Sequence, residues 1–198
     1  EGYLVGQIVG DGGYIEGSGN KSDSAYVRFW GEHSETMSSS CLEMTSNNVK
    51  HRSDLASVYN KENKTHQVRC VGLARLCQQV GIDSSLKLAS PQLEMTSSNF
   101  VRGYLSGLFD ADGSVQGDLI KGASIRLGQA NHERLQAVQR MLARLGIKAT
   151  IYKERKAEGN YLLPNGKGGS KLYWCKAMHD LCISNTSMEL FHTLIGFK

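Results

Sequence analysis

Tyr3-Leu4-Val5-Gly6-Gln7-Ile8-Val9-Gly10-Asp11-Gly12 and Tyr104-Leu105-Ser106-Gly107-Leu108-Phe109-Asp110-Ala111-Asp112-Gly113 lie 101 positions apart and share one pattern. Each is a short apolar helix with a small residue every fourth position, closed by Asp-Gly. Glycine inside a helix costs about 1 kcal/mol relative to alanine, so Gly6 and Gly107 need a packing reason. Gly6 with Gly10, and Gly107 with Ala111, fall on one helical face. A stripe without side chains lets two backbones approach closely. Neither segment can span a bilayer, which takes about 20 apolar residues. Gly12 and Gly113 are expected to stop the helices in the left-handed conformation. That leaves Asp11 and Asp112 in the last turn, where the helix dipole disfavours a carboxylate. A hard divalent cation held by carboxylate and carbonyl oxygens offsets that cost. Asp-Gly alone is an ordinary turn signal. Two copies behind the same small-residue stripe favour a shared metal site at two adjoining helix ends.

The second copy, Leu105 to Gly113, resembles the LAGLIDADG motif of homing endonucleases at seven of nine positions. The first is looser and keeps Leu4, Gly6, Ile8, Asp11 and Gly12, with Val9 and Gly10 in place of the usual acid and small residue. In this family the penultimate position binds metal. The resemblance therefore makes Asp11 and Asp112 catalytic metal ligands, with the backbone carbonyls of Gly10 and Ala111 as further ligands. It implies an active nuclease, and it covers nearly all 198 residues.

The remainder repeats as well. Ser114-Val115-Gln116 answers Tyr14-Ile15-Glu16, and Ser124 to Leu127 answers Tyr26 to Phe29 at an offset of 98. Both pairs read as strands with one apolar face. Asn131 caps a helix whose apolar positions run from Leu135 to Leu145, stopped by Gly146. Lys148 to Lys153 reads as a strand. His179 to Ile183 answers His66 to Cys70 (offset 113), and Met188 to Phe197 answers Leu73 to Ile82 (offset 115). The second half holds an extra loop, Gly159 to Ser170, that reads as a turn or finger. Ser34 to Asn48, rich in Ser and Thr, predicts poorly as a helix. Leu-Glu-Met-Thr-Ser occurs at both 42–46 and 93–97 without evident reason. The expected fold is α+β: two pseudo-symmetric αββαββα units, 1–88 and 101–198, joined by a linker over 89–100. Each carries an antiparallel sheet, apolar on its helix side. The resemblance implies that the two sheets form a DNA-binding saddle around the paired motif helices.

The charge is uneven. The whole chain is +4 with a pI near 8.8. Residues 1–100 hold 9 Lys/Arg and 11 Asp/Glu, whereas 101–198 hold 14 and 8. DNA affinity rests largely on phosphate neutralisation, so the second half should supply more of it. A solvated basic face is the plain alternative. Five cysteines without CxxC or zinc spacing read as reduced thiols in an intracellular, reducing compartment, with Cys70 and Cys182 expected in the core. The histidines form no ligand pattern. Absence of an initiator Met suggests a segment of a longer protein.

Phosphodiester hydrolysis needs an activated water and a stabilised leaving oxygen, which Mg2+ ions at Asp11 and Asp112 would supply. Mn2+ is expected to substitute, and Ca2+ to support binding without cleavage. The family places a basic residue after the last helix of each unit, which makes Lys87 and Lys198 candidates; a plain linker lysine is the alternative for Lys87. Gln7 is expected to serve packing. Alternation assigns Tyr14, Glu16, Tyr26, Arg28, Trp30, Gln67 and Arg69, then Ser114, Gln116, Ser124, Arg126, Tyr152, Lys153 and Arg155, to the DNA-reading faces. Arg28 and Arg126, taken as equivalent, suit guanine. The expected partner is double-stranded DNA of about 20 base pairs, two half-sites of about one turn each, bound by a monomer with an internal pseudo-twofold and no membrane association. An intein origin is favoured by the Gly81-Ile82 and Ile195-Gly196-Phe197 helix ends. Without a splicing Cys or Ser at its start or a His-Asn at its end, the chain is not expected to splice by itself. A non-cleaving maturase or DNA-binding regulator is the alternative.

Overall fold

The computed structural model describes residues 1–84, 90–118, 122–165 and 168–198. The first half runs α1 (Gly2–Asp11), β1 (Gly12–Ile15), β2 (Ser24–Phe29), α2 (Ser34–Asn48), β3 (Ser57–Asn60), β4 (Thr65–Cys70) and α3 (Val71–Gln79). A short α4 (Pro91–Glu94) follows. The second half runs α5 (Ser98–Asp112), β5 (Gly113–Asp118), β6 (Gly122–Gln129), α6 (His132–Arg144), β7 (Thr150–Lys156), β8 (Gly159–Pro164), β9 (Ser170–Cys175), β10 (Met178–Ser184) and α7 (Thr186–Leu194). The αββαββα order thus holds in both halves, with β8 and β9 added in the second. Two four-stranded antiparallel sheets result, ordered β1-β2-β4-β3 and β5-β6-β10-β7.

Packing divides the chain into two compact units, residues 1–112 with 192–198, and residues 113–191. The first contains both motif helices, because α5 packs along α1. Its core joins Leu4, Val5 and Ile8 of α1 with Leu105, Leu108 and Phe109 of α5 and with Val27, Val68 and Leu73, all at most 2% exposed. The second unit has its own core of Ile125, Leu127, Val138, Leu142, Leu181 and Ile183. Helix α6 caps as expected: the Asn131 side chain accepts from the Arg134 N–H at 2.8 Å, and Gly146 follows at φ +80°.

Several expectations are corrected. Residues 34–48 form a 15-residue helix despite their composition. Its hydroxyls bond back to helix carbonyls: Ser38 and Ser39 donate to Glu35 O, and Thr45 donates to Cys41 O at 2.7 Å. Ser34, Ser38, Cys41 and Thr45 form its buried stripe, and tertiary packing overrides weak propensity. Gly12 is extended (φ −109°) rather than left-handed; a Cβ there would overlap the Tyr26 carbonyl oxygen and the Ile8 backbone. The motif helices therefore pass directly into β1 and β5. Cys70 and Cys182 are only partly buried, and Cys41 and Cys77 are the buried thiols. The region expected as a linker contains α4, where Pro91 opens the helix and the Ser90 hydroxyl accepts from Leu93 N–H at 3.0 Å. The two Leu-Glu-Met-Thr-Ser copies differ in structure, one within α2 and one leaving α4. The residues expected as a loop mostly form an antiparallel ribbon, β8 with β9. Its register continues that of β7 with β10, since Met178 faces Lys156 and Cys175 faces Gly159. None of the described helices is long and apolar enough to cross a membrane.

Candidate metal and nucleic-acid site

The motif helices meet backbone to backbone. A Cβ on Gly6 would overlap the Tyr104 carbonyl oxygen, and one on Gly107 the Tyr3 carbonyl oxygen. Gly2 extends the stripe against Phe100, and Gly103 against Tyr3. Both went unremarked in the sequence, although spacings 2/6/10 and 103/107/111 carry the signal. At the far end a Cβ on Gly10 would collide with the Ala111 methyl and lie 3.7 Å from the Asp112 carboxyl carbon. Asp11 and Asp112 thus leave two helix ends that touch at Gly10 and Ala111, and both are partly exposed.

Among the described residues no group of three or more His, Cys, Asp and Glu side chains could enclose a metal ion. The donor set at the helix ends is instead two carboxylates, each following a small residue, Gly10 or Ala111, at which the helices touch. This suits hard, partly hydrated divalent cations that complete their shell with oxygens from water or phosphate. Asp11 and Asp112 would hold such ions.

Neighbouring polar residues brace this end. The buried Gln7 side chain donates to the Gly107 carbonyl at 3.1 Å, a packing role as expected. Asp110, the acid that the first motif replaces with the buried Val9, accepts from the Tyr3 hydroxyl at 2.7 Å and from the Lys198 backbone N–H at 3.1 Å. Burial, then the Asp110 hydrogen bond, raises the Tyr3 hydroxyl well above its ordinary value of 10.0. The Lys198 ammonium lies over the Tyr3 ring, 5.2 Å from its centroid. Lys87 lies outside the described residues.

Register sorts the candidate contact residues. On the open face of the first sheet, Tyr26 faces Arg69, and Arg28 faces Gln67. Arg28 donates to the Gln67 side chain at 3.2 Å and stacks over Tyr26, 5.0 Å from its centroid. Trp30, half exposed, follows just beyond β2. Tyr14 and Glu16 are not among them. Tyr14 faces Ala25, on the helix side, where its hydroxyl bonds Asp23 at 2.7 Å and accepts from Gln78. That hydroxyl is pushed up to about 12 by burial, then by Asp23. The Gly17 N–H, then Tyr14, hold the Asp23 carboxyl below its ordinary value. Glu16 accepts from Ser84. Gly13 and Ile15 take the open-face positions of β1 instead.

In the second sheet Ser114 faces Arg126, and Gln116 faces Ser124. Tyr152 faces Asp180, and Arg155 stacks over Tyr152 at 5.8 Å. Lys153 departs: its charge acts on His132, whose protonation is depressed by burial first and then by Lys153 and His179. Arg28 and Arg126 are not equivalent. Gly12 faces Val27 and Gly113 faces Leu127, so the offset from β2 to β6 is 100 rather than 98, and Arg126 matches Tyr26. A slip of two residues preserves alternation, which hides it from the sequence. Arg126 forms a 2.9 Å ion pair with Asp180, whereas Arg28 meets the neutral Gln67 and the Tyr26 ring.

This is the α+β fold of the LAGLIDADG homing endonucleases, and the chain carries a LAGLIDADG-like domain matched over residues 99–196. Among solved structures, the homing endonuclease I-WcaI bound to its DNA recognition sequence superposes with a TM-score of 0.65 at 16% identity, covering 100% of this chain and 81% of that one. I-DmoI in complex with DNA and Mn gives 0.55 at 17% identity, covering 100% and 96%. Further I-DmoI complexes were solved with Mg and with Ca. In sequence the chain is similar to the ribonucleoside-diphosphate reductase NrdEB subunit alpha of Bacillus subtilis and of Bacillus phage SPbeta, 33% identical over 156 residues. That match covers 75% of this chain and only 14% of those much longer relatives.

Proposed function

We propose that the chain is a site-specific, divalent-metal-dependent endonuclease that makes a staggered double-strand break in a long, partly palindromic DNA target. The observation that carries this reading is the pair Asp11 and Asp112, delivered to one place by helices whose glycines admit no side chain between them. Ions held there supply the Lewis acidity and water activation that phosphodiester hydrolysis requires. The protein orients the two carboxylates, and the open face of each sheet binds the major groove of one half-site. With one aspartate per repeat, a monomer serves both strands of about 20 base pairs. Mg2+ is the expected ion, Mn2+ a substitute, and Ca2+ a non-cleaving ligand; I-DmoI complexes with Mn, Mg and Ca support the use of a divalent metal. Lys87 and Lys198 remain the proposed basic residues.

The chain is further read as the endonuclease of an intein. Its sequence resemblance to a small part of a reductase subunit supports this, because a nuclease fold has no evident part in nucleotide reduction and fits an insertion into the host protein. An intracellular setting follows from that reading.

The test is incubation with a library of randomised duplexes in Mg2+, Mn2+ or Ca2+, followed by sequencing of new ends. A staggered cut at one long site in Mg2+, lost in Asp112→Asn while binding in Ca2+ persists, is the expected result. Site enrichment without cuts in any metal would replace this reading with that of a non-cleaving maturase or DNA-binding regulator.

A further inference from the structure

We infer that His179 and His132 form a proton-operated latch in the second unit: with both rings neutral it holds the bend between the second sheet and the β8–β9 ribbon, and a proton on His179 releases it. The latch is independent of whether the chain cuts DNA.

It closes a bulge. From Tyr152 to Lys156 β7 advances four residues, while its partner strand advances only two, from Asp180 to Met178. A bulge of this kind interrupts the ladder and bends the strand. Beyond it, at Gly159 with Cys175, the same two segments run on as the ribbon. Glu154 stands at the middle of the bulge in the left-handed region, at φ +51°. A residue other than glycine keeps that conformation only where its surroundings hold it. His179 does so: the Glu154 N–H donates to the imidazole Nδ1 at 3.1 Å.

That bond fixes the state of the ring. A backbone N–H can only donate, so Nδ1 carries no hydrogen and the neutral ring has its hydrogen on Nε2. Neither nitrogen then offers a lone pair to a metal ion. Protonation puts a hydrogen on Nδ1, sets donor against donor and breaks the bond.

The surroundings resist the proton while the latch is shut. His179 shares a sheet face with the buried Leu181 and Ile183. There it meets His132 of α6 edge to face, with centroids 5.2 Å apart. A cation in the first turn of a helix is opposed by the helix dipole. Burial, then Lys153 of β7 and His179, disfavour a proton on His132, and the opposing pull of Glu133 does not overcome them. Gln129 of β6 faces His179 and accepts from the Arg134 guanidinium. Asp180 and Arg155 are engaged on the open face, by Arg126 and the Tyr152 ring. Because each ring's charge discourages the other's, the two titrate as a pair. His132 is depressed in the folded chain, so the opened form binds protons more readily. Its stabilisation is therefore complete above the ordinary imidazole value of about 6.5 and is lost as pH falls below it, which makes acid the opening direction.

The test is NMR of the full chain labelled with 15N, at about pH 8 and about pH 5, the limits between which imidazole ordinarily changes charge. A scalar coupling across the hydrogen bond, between the Glu154 nitrogen and His179 Nδ1, is expected at the higher pH and lost at the lower. Over the same interval the residual dipolar couplings of the β8–β9 amides should change relative to those of β6 and β10. In His179→Asn the side-chain oxygen replaces Nδ1 as acceptor and does not titrate, so the ribbon couplings should stay constant. A hydrogen on His179 Nδ1 at the higher pH, or ribbon couplings in the unaltered chain that ignore pH, overturns the latch. An equal acid-induced change in His179→Asn overturns it too.

Discussion

The Tyr3 hydroxyl donates to the Asp110 carboxylate at 2.7 Å, joining the start of the first motif helix to the end of the second. The same carboxylate accepts the Lys198 N–H, so one acid of the second motif ties three parts of the chain together. The first motif has Val9 at this position, and its side chain is buried instead. Tyr3→Phe removes a partly buried, charge-assisted bond, worth about 2 kcal/mol. Urea unfolding should show a lower midpoint with an unchanged slope; an unaltered midpoint would mean the bond contributes nothing.

The contact of Gly6 with the Tyr104 carbonyl is predicted to tolerate no side chain. Gly6→Ala adds a methyl where backbone already stands, and neither helix can retreat without opening the core. A loss of about 3 kcal/mol or more is expected, visible as a collapse of the thermal transition. Stability within 1 kcal/mol of the unaltered chain would show that α1 and α5 do not touch there.

Alkaline titration should separate the tyrosines. Of eight phenols, Tyr14 is raised to about 12 and Tyr3 is raised further in the same direction. For a group whose folded value exceeds its unfolded value, the stabilisation is complete below the unfolded pKa and is lost as pH rises towards the folded one. Tyr14 therefore contributes fully below about pH 10, and its contribution declines between there and about 12. Tyr14→Phe should delete the absorbance step near pH 12 and flatten stability across that window. A step that persists in the variant would assign it to another phenol.

The Arg126–Asp180 ion pair should restrain the second sheet's grip on DNA. Asp180→Asn frees the guanidinium for phosphate or base and is expected to steepen the logarithmic salt dependence of binding by about one. Gln67→Asp would impose the same restraint on Arg28 and should reduce the slope by a similar amount. Salt titrations in Ca2+ decide this; an unchanged slope in both variants would place neither arginine at DNA.

Much of the site was legible because its constraints are local. A glycine every fourth residue, an Asp-Gly end and a second copy of both identify helices that must touch and that each end in a carboxylate. Strand alternation likewise separated core from open face for Val27, Phe29, Ile125 and Leu127. It failed at Tyr14, because alternation along β1 separates two faces without saying which of them is open. The hydrogen-bonded ladder sets Tyr14 opposite Ala25 instead.

By itself, then, the sequence determined the two motif helices, the αββαββα order and the aspartates at the helix ends, since periodicity and backbone sterics act over a few residues. Tertiary structure decided the strand register that matches Arg126 to Tyr26, the helicity of the Ser-rich α2, and the extension of β7 and β10 into a ribbon. Each depends on contacts between distant segments: a two-residue strand slip leaves every local preference satisfied, and a helix of weak formers persists only when a neighbouring sheet buries its one small-residue face.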